Sequence, residues 1–300
     1  MGWMLWATLS CFLWGAIWGS FLNVVIYRVP RGLSVVRPGS HCMACGTAIA
    51  WYHNIPILSW ILLRGRCAYC KAPFSIRYPM VELVTACFTA GVWIQLVQAG
   101  GGDLTAIPWN TLLIAWFFYF VFVADLIVIA LIDFDTMRIP DVLSLSPIPM
   151  GFACALFAGD ITGVTLQSSV LGAVIGGGSL WVVTYGYFWL TGREGMGLGD
   201  YRLMALVGAF LGWASILFIL MASAIQGLLY ALYLHGSGRS QGVPMDEEMD
   251  AVDPDSGDSV TLRHAAIPFG PFIVLAAFEW LIFHDHILRL FQQWAGIPTL

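Results

Sequence analysis

Apolar runs of bilayer length recur along this chain of 300 residues, and they restrict its fold more than any other feature. Hydrophobic residues make up 59% of the chain and charged residues only 10%. Soluble domains carry roughly 25% charged residues, and a helix that crosses a bilayer needs ~20 mostly apolar ones. The sequence therefore predicts an all-α polytopic membrane protein with about eight transmembrane helices. We place them at 3–26, 78–98, 107–132, 142–158, 166–191, 201–212, 213–235 and 267–284.

The distribution of basic residues predicts how the chain is oriented. Seven of the thirteen Lys and Arg residues lie between the first two predicted spans, and the loops at 99–106 and 159–165 have none. Cytoplasmic loops of membrane proteins carry an excess of Lys and Arg. We therefore expect the first loop to be cytoplasmic and the N-terminus to lie outside.

Four cysteines in the first loop have the spacing of a metal site. The segments "CMAC" at 42–45 and "CAYC" at 67–70 are two CxxC pairs, an arrangement typical of four-thiolate zinc sites. Cytoplasmic thiols stay reduced unless a metal holds them, which favours zinc over a redox pair, while iron–sulfur ligation is a further alternative. With four protein ligands such a site is structural, because no coordination position stays open for substrate. The predicted zinc ligands are Cys42, Cys45, Cys67 and Cys70.

The spans and the cysteines together predict five segments. They are the first transmembrane helix (1–26), a small cytoplasmic zinc-binding domain (27–77), a transmembrane core (78–235), an acidic cytoplasmic loop (236–266) and the last transmembrane helix with an external tail (267–300). Seven of the eighteen acidic residues lie between 246 and 258. A run of like charges with Pro and Gly is most simply a solvated loop.

Two carboxylates are predicted at one membrane face although they are far apart in the chain. Asp133 ends the third predicted span in "IALIDFD", and Asp200 begins the sixth in "GMGLGD". Alternation of the spans puts both on the cytoplasmic side. Two carboxylates that share one proton can activate a water and protonate a peptide carbonyl, which is the chemistry of an aspartyl protease. Asp133 and Asp200 are therefore the predicted catalytic pair.

Three glycines, Gly195, Gly197 and Gly199, precede the second of these acids. Without Cβ atoms they would let an extended substrate backbone approach Asp200 closely. The alternative is a capped helix start, with Asp200 as the N-cap residue and the glycines as a linker. The motif alone does not decide between these two interpretations.

Two functions of other classes compete with proteolysis. A transporter could use intramembrane carboxylates as a proton relay, but its acids would lie near the bilayer midplane rather than at one face. A zinc-regulated membrane scaffold would need no catalytic residue at all. Cleavage of a leader-bearing peptide would distinguish a protease from both.

Five stretches in the same order resemble the type IV prepilin peptidases, the bacterial membrane aspartyl proteases with a GxGD motif. The segment "GMGLGDYRLMALVGAFLGW" resembles the GxGD segment itself, and "ALIDFDTMRIPDVLSL" resembles the first aspartate motif. The segment "GSFLNVVIYRVP" resembles the end of the first span, and "IPFGPF" resembles the last span. The double CxxC loop with "NIPILSW" and "YPMVEL" resembles the cytoplasmic domain of that family.

The resemblance implies an enzyme with two activities in the bacterial inner membrane. It implies cleavage of the basic leader of type IV prepilins or type II secretion pseudopilins after a glycine, at the cytoplasmic face. The new N-terminus would then be methylated with S-adenosylmethionine. Expected partners are these substrates and membrane lipid, with no nucleic acid. Carried over by motif, the catalytic residues are Asp133 and Asp200.

Other motif positions are assigned supporting roles or none. Asp135 and Asp141 match positions that support the site through helix termination and hydrogen bonding, and Arg202 stands where a Lys is usual. No glycine-rich nucleotide fingerprint follows a predicted strand, so the binding site of S-adenosylmethionine is not located by motif. Glu82 in "YPMVEL" is a candidate for methyl transfer or substrate contact.

Overall fold

The computed structural model of the chain describes residues 2–101, 108–192, 197–237 and 267–294, so the acidic segment 246–258 lies outside the described residues. The predicted all-helical class is confirmed, since within these ranges the regular structure consists of helices. The α-helices are α1 (Gly2–Arg28), α2 (Leu58–Leu62), α3 (Arg77–Ala99), α4 (Trp109–Thr136), α5 (Asp141–Leu145), α6 (Ile148–Thr162), α7 (Leu166–Thr191), α8 (Leu198–Leu211), α9 (Ile216–Gly236) and α10 (Gly270–Trp294).

Seven helical stretches in the described ranges are long and apolar enough to cross a membrane. The sixth of the eight predicted spans is the exception. Helix α8 has 14 residues and rises only ~21 Å, which is shorter than the hydrocarbon core of ~30 Å. It ends at Gly212, whose φ of 76° breaks the helix before a short 3₁₀ turn at Trp213–Ser215 leads into α9. Within the described ranges there are therefore seven helical stretches of membrane length, and α8 is too short to be an eighth.

Helix α4 lies at the centre of the bundle. It contacts α1, α3, α6 and α10, and its mean hydropathy of 2.6 exceeds that of the other membrane-length helices. Phe122, Leu126, Ile129 and Ile132 are fully buried along it, and the Phe122 ring stacks on Phe210 of α8 with centroids 4.4 Å apart. This packing fixes the position of the helix end at which Asp133 lies.

Small residues bring α7 and α8 into backbone contact. A Cβ atom on Gly208 of α8 would collide with the backbone of Gly172 on α7, and the Ser169 hydroxyl donates to the Ala209 carbonyl. Close approach of small residues is a common mode of helix association in membranes. Helix α8, which carries Asp200 in its first turn, is held against α7 in this way.

The segment between α1 and α3 folds into two similar turns, one around each CxxC pair. Isolated bridges join His41 to Ala48 and Arg66 to Pro73, so both turns close with the same backbone pairing. Below them α1 and α3 pack closely, because a Cβ atom on Gly19 would lie 2.7 Å from the Cα of Glu82. The turns thus sit over the ends of these two helices.

Candidate active site

Asp133 lies in the last turn of α4 and is only 5% exposed. Its Oδ2 atom accepts a hydrogen bond from the backbone N–H of Gly270 at 3.0 Å. Gly270 is the first residue of α10, where the N–H groups have no partner within the helix and carry partial positive charge. The carboxylate therefore caps the N-terminus of α10.

Asp200 lies in the first turn of α8 and is also 5% exposed. The two carboxyl groups are near enough for the negative charge of Asp133 to act on Asp200. The N-cap residue of α8 is Gly197, with which the Asp200 carboxyl also interacts, so the interpretation of Asp200 as the N-cap is wrong. Two buried acids from distant parts of the chain are thus neighbours. Asp200 lies at the N-terminus of its own helix α8, and Asp133 contacts the N-terminus of α10.

Ion pairs tie the surrounding helix ends together. The Arg77 guanidinium at the start of α3 pairs with Asp135 at 2.7 Å, two residues after Asp133 on α4. Arg202 in the first turns of α8 pairs with Asp141, the first residue of α5. The two acids that the motif assigned to supporting roles therefore each link two helices beside the buried pair.

The glycines near Asp200 have different surroundings. Gly195 lies outside the described residues. A Cβ atom on Gly197 would be 3.4 Å from Asp200 Oδ2, an ordinary contact, whereas one on Gly199 would be 2.6 Å from the Cβ of Ile139. The space beside the Gly199 backbone is thus filled by the Ile139 side chain.

The four CxxC cysteines form one cluster. The four Sγ atoms lie within 4.8 Å of one another, and those of Cys42 and Cys70 are 3.8 Å apart. A tetrahedral site with zinc–sulfur bonds of ~2.3 Å has sulfur–sulfur distances of about 3.8 Å. The turns that carry the pairs match in their backbone, because Gly46 and Lys71, which follow them, have φ values of 68° and 60°. The cluster fits a four-thiolate metal site.

The protonation of the cluster depends on its hydrogen bonds and on the neighbouring sulfurs. Hydrogen bonds with Thr47 lower the pKa of Cys45 to about 6, which favours its thiolate. A hydrogen bond with the Ala72 backbone favours ionisation of Cys70 too, but desolvation and the neighbouring sulfurs outweigh it and raise the pKa of Cys70 to about 11. Four thiolates at this spacing repel one another, and a bound dication removes that repulsion.

Glu82 lies beneath these turns, in α3. It is 8% exposed, and its Oε2 atom accepts a hydrogen bond from the Ile57 backbone N–H at 2.6 Å. It lines a cleft of about 450 Å³ between the CxxC segment and the ends of α1 and α3. Arg77, at the start of the same helix, pairs with Asp135, which lies two residues after Asp133 on α4.

Three features of this region were not predicted from the sequence. The Gly270 donor, the contact of Ile139 with Gly199 and the hydrogen bond from Ile57 to Glu82 all join distant segments. The segment "IPFGPF" drew attention to Gly270 through family resemblance, but no periodicity or spacing indicates its partner. Ile57 gave no signal, because a β-branched residue is not expected at its φ of 62°.

Comparison with known proteins agrees with this arrangement. The Bacterial Peptidase A24 N-terminal domain matches residues 13–96, which include the cysteine cluster and Glu82. The Type IV leader peptidase family matches residues 120–232, which include Asp133 and Asp200. No solved structure gives a significant match.

Curated relatives match almost the whole chain. The prepilin leader peptidase/N-methyltransferase of Neisseria gonorrhoeae is 37% identical over 95% of this chain and 93% of its own length. That of Myxococcus xanthus is 37% identical over 93% and 91%, and that of Aeromonas hydrophila 33% over 93% and 91%. The family resemblance seen in the sequence is confirmed. The chain is a multi-pass membrane protein that belongs to the prepilin leader peptidase/N-methyltransferase family.

Proposed function

We propose that this protein is an aspartyl endopeptidase that removes the basic leader from type IV prepilins or related pseudopilins and then methylates the new N-terminus. The observation that carries the proposal is the pair of buried, neighbouring carboxylates of Asp133 and Asp200. Relatives at 33% and 37% identity over nearly the full chain are prepilin leader peptidase/N-methyltransferases, which supports both activities.

The surroundings of the pair suit the chemistry of peptide hydrolysis. Two carboxylate charges this close in a poorly hydrated site repel each other strongly, so the pair holds one shared proton. The N-termini of α8 and α10 point positive partial charge at the remaining negative charge. The ionised carboxylate takes a proton from a water molecule as that water attacks the scissile carbonyl. The protonated carboxyl group donates its proton to the carbonyl oxygen.

Substrate access is the proposed role of the glycine segment. A prepilin leader is followed by an apolar helix that stays in the membrane, so its scissile bond reaches the cytoplasmic interface. Part of that helix must unwind there, and its exposed amides need partners. Gly195 and Gly197 are the proposed approach, and of these Gly197 is exposed beside Asp200, whereas Ile139 fills the space beside Gly199.

Orientation and metal content are parts of the same proposal. The basic CxxC segment faces the cytoplasm of a bacterial cell, as the excess of Lys and Arg predicts, and the N-terminus lies in the periplasm. The cysteine cluster holds a structural zinc ion that stabilises the two turns. The methyl donor is S-adenosylmethionine, and Glu82 is the candidate residue for its site.

One mass spectrum tests both activities. The purified protein is incubated with a full-length prepilin and S-adenosylmethionine, and the intact mass of the processed substrate is measured. We expect loss of the leader after a glycine and the added mass of one methyl group on the new N-terminus. An uncleaved substrate would refute the peptidase, whereas a cleaved but unmethylated one would refute only the transferase.

A further inference from the structure

The cleft beside Glu82 has the size and walls of a small-molecule site. Its volume of about 450 Å³ lies within the range of ~300–1,000 Å³ usual for such sites. The CxxC segment forms one wall, the end of α1 forms another through Asn23 and Tyr27, and the first turns of α3 form a third through Tyr78 and Glu82. It therefore exists only where the cysteine segment docks on the membrane helices.

Glu82 is held in place by a strained part of the opposite wall. The Ile57 N–H donates to its carboxylate, and the Ser20 hydroxyl is a second partner. Ile57 adopts a φ of 62°, which is an outlier for a β-branched residue. Backbone strain of this kind persists where the surrounding structure enforces it, often at ligand sites.

The cleft is also lined by polar groups that have no partner among the described residues. The guanidinium groups of Arg37 and Arg66 line it without a hydrogen bond or ion pair to any described residue. The Nδ1 atom of His53 is buried and has no partner among the described residues. A buried polar atom without a partner is rare and calls for a ligand or water. One acid and free basic groups in the same cleft suit a ligand that carries charges of both signs.

We propose that this cleft binds S-adenosylmethionine, with Glu82 facing its cationic or hydroxyl groups and Arg37 and Arg66 facing its carboxylate. Trp60 and Phe74 provide apolar surface for the adenine ring, and a hydrogen bond from Trp60 Nε1 to the Phe74 carbonyl fixes them together. This inference rests on the proposed methylation, and it adds the binding residues that the sequence could not locate.

The cleft lies close to the aspartate pair. Arg77 of α3 pairs with Asp135 beside the pair, while Tyr78 and Glu82 of the same helix line the cleft. Both sites therefore adjoin the N-terminal turns of α3. In the transfer, the new N-terminal amine bonds to the methyl carbon, the carbon–sulfur electron pair stays on sulfur, and the resulting ammonium releases one proton to water.

Binding of labelled S-adenosylmethionine to the intact zinc-containing protein tests the assignment by equilibrium dialysis, without any turnover. We expect Glu82→Gln and the charge reversal Arg37→Glu each to weaken binding at least about tenfold. The matched control Arg64→Glu reverses an exposed charge of the same segment that does not line the cleft, and it should bind as the wild type does.

The outcomes separate this inference from the proposed function. Wild-type affinity in both Glu82→Gln and Arg37→Glu would overturn the cleft as the site while leaving methylation intact. A wild-type protein that does not bind the ligand would overturn both the cleft and the transferase, but not the peptidase. If Glu82→Gln does not fold, as judged by zinc content and melting temperature, the exposed Arg37→Glu variant decides alone.

Discussion

The contact between Gly270 and Asp133 lets one backbone position control the orientation of a side chain that we propose to be catalytic. A Cβ atom on Gly270 would lie 2.6 Å from Asp133 Oδ2, which is too close to keep the present hydrogen bond. The crowded atom is the end of a side chain, so the carboxylate can turn away with little strain on the backbone. We predict that Gly270→Ala lowers the cleavage rate at least about tenfold, while the melting temperature changes little.

The control for this substitution is Gly178→Ala on α7, where an added Cβ meets open space. It should cleave at the wild-type rate. The measurement is the initial cleavage rate at equal protein level for both variants. A Gly270→Ala protein as active as Gly178→Ala would show that the orientation of Asp133 does not depend on this contact.

Gly199 offers a sharper test of the glycine segment than substitution alone. Ile139 fills the space that a side chain at position 199 would need. Gly199→Ala is therefore expected to slow cleavage by crowding inside the protein. The double variant Gly199→Ala/Ile139→Gly removes the Cβ atom that causes the crowding and should recover most of the rate. If the double variant stays as slow as Gly199→Ala, the bare backbone at Gly199 serves the substrate instead, as the sequence first suggested.

At the scale of the elements, the two CxxC turns have little core of their own to hold them. Cys42 and Cys67 are buried by the cluster, whereas Trp51 and Leu62 of the same segment are largely exposed. A structural zinc ion contributes folding free energy directly, so its loss should unfold the segment. We predict about one zinc per chain in the wild type, and loss of both zinc and expression level when any of the four cysteines becomes Ser.

Metal analysis by mass spectrometry measures the zinc content. The matched control is Cys87→Ser, because Cys87 is an exposed thiol of α3 outside the cluster. It should keep a full complement of zinc. A metal-free wild-type protein of normal stability would contradict the structural role of the site.

Helix α8 shows what an apolar pattern can and cannot predict. The apolar run from 201 to 235 with a glycine at 212 predicted two spans, and the break at Gly212 is present. Hydropathy does not report where a helix stops relative to the bilayer, and the first of the two is too short to cross it alone. Its position is set by backbone contact with α7 at Gly172, which only the packed structure reveals.

For the whole molecule, the sequence was sufficient to predict those parts of the site that follow from residue spacing and from the order of the spans. The thiol spacing predicted a cluster that the structure contains, and alternation of spans predicted the meeting of Asp133 and Asp200. Contacts that form only when separate segments pack together could not be predicted from the sequence. Ile57 reaches Glu82 and Gly270 reaches Asp133 because separate segments dock, and no local pattern encodes either pairing.

The central claim is that Asp133 and Asp200 act as a pair, and isosteric replacement tests it most directly. Asp133→Asn and Asp200→Asn are compared with Asp135→Asn, which changes an acid of the same helix that pairs with Arg77 outside the buried pair. The initial rate of prepilin cleavage is measured for proteins with wild-type zinc content and melting temperature. We predict that each of the first two loses at least about a hundredfold in rate while Asp135→Asn keeps most of it. Wild-type cleavage by either Asp133→Asn or Asp200→Asn would contradict the aspartyl mechanism.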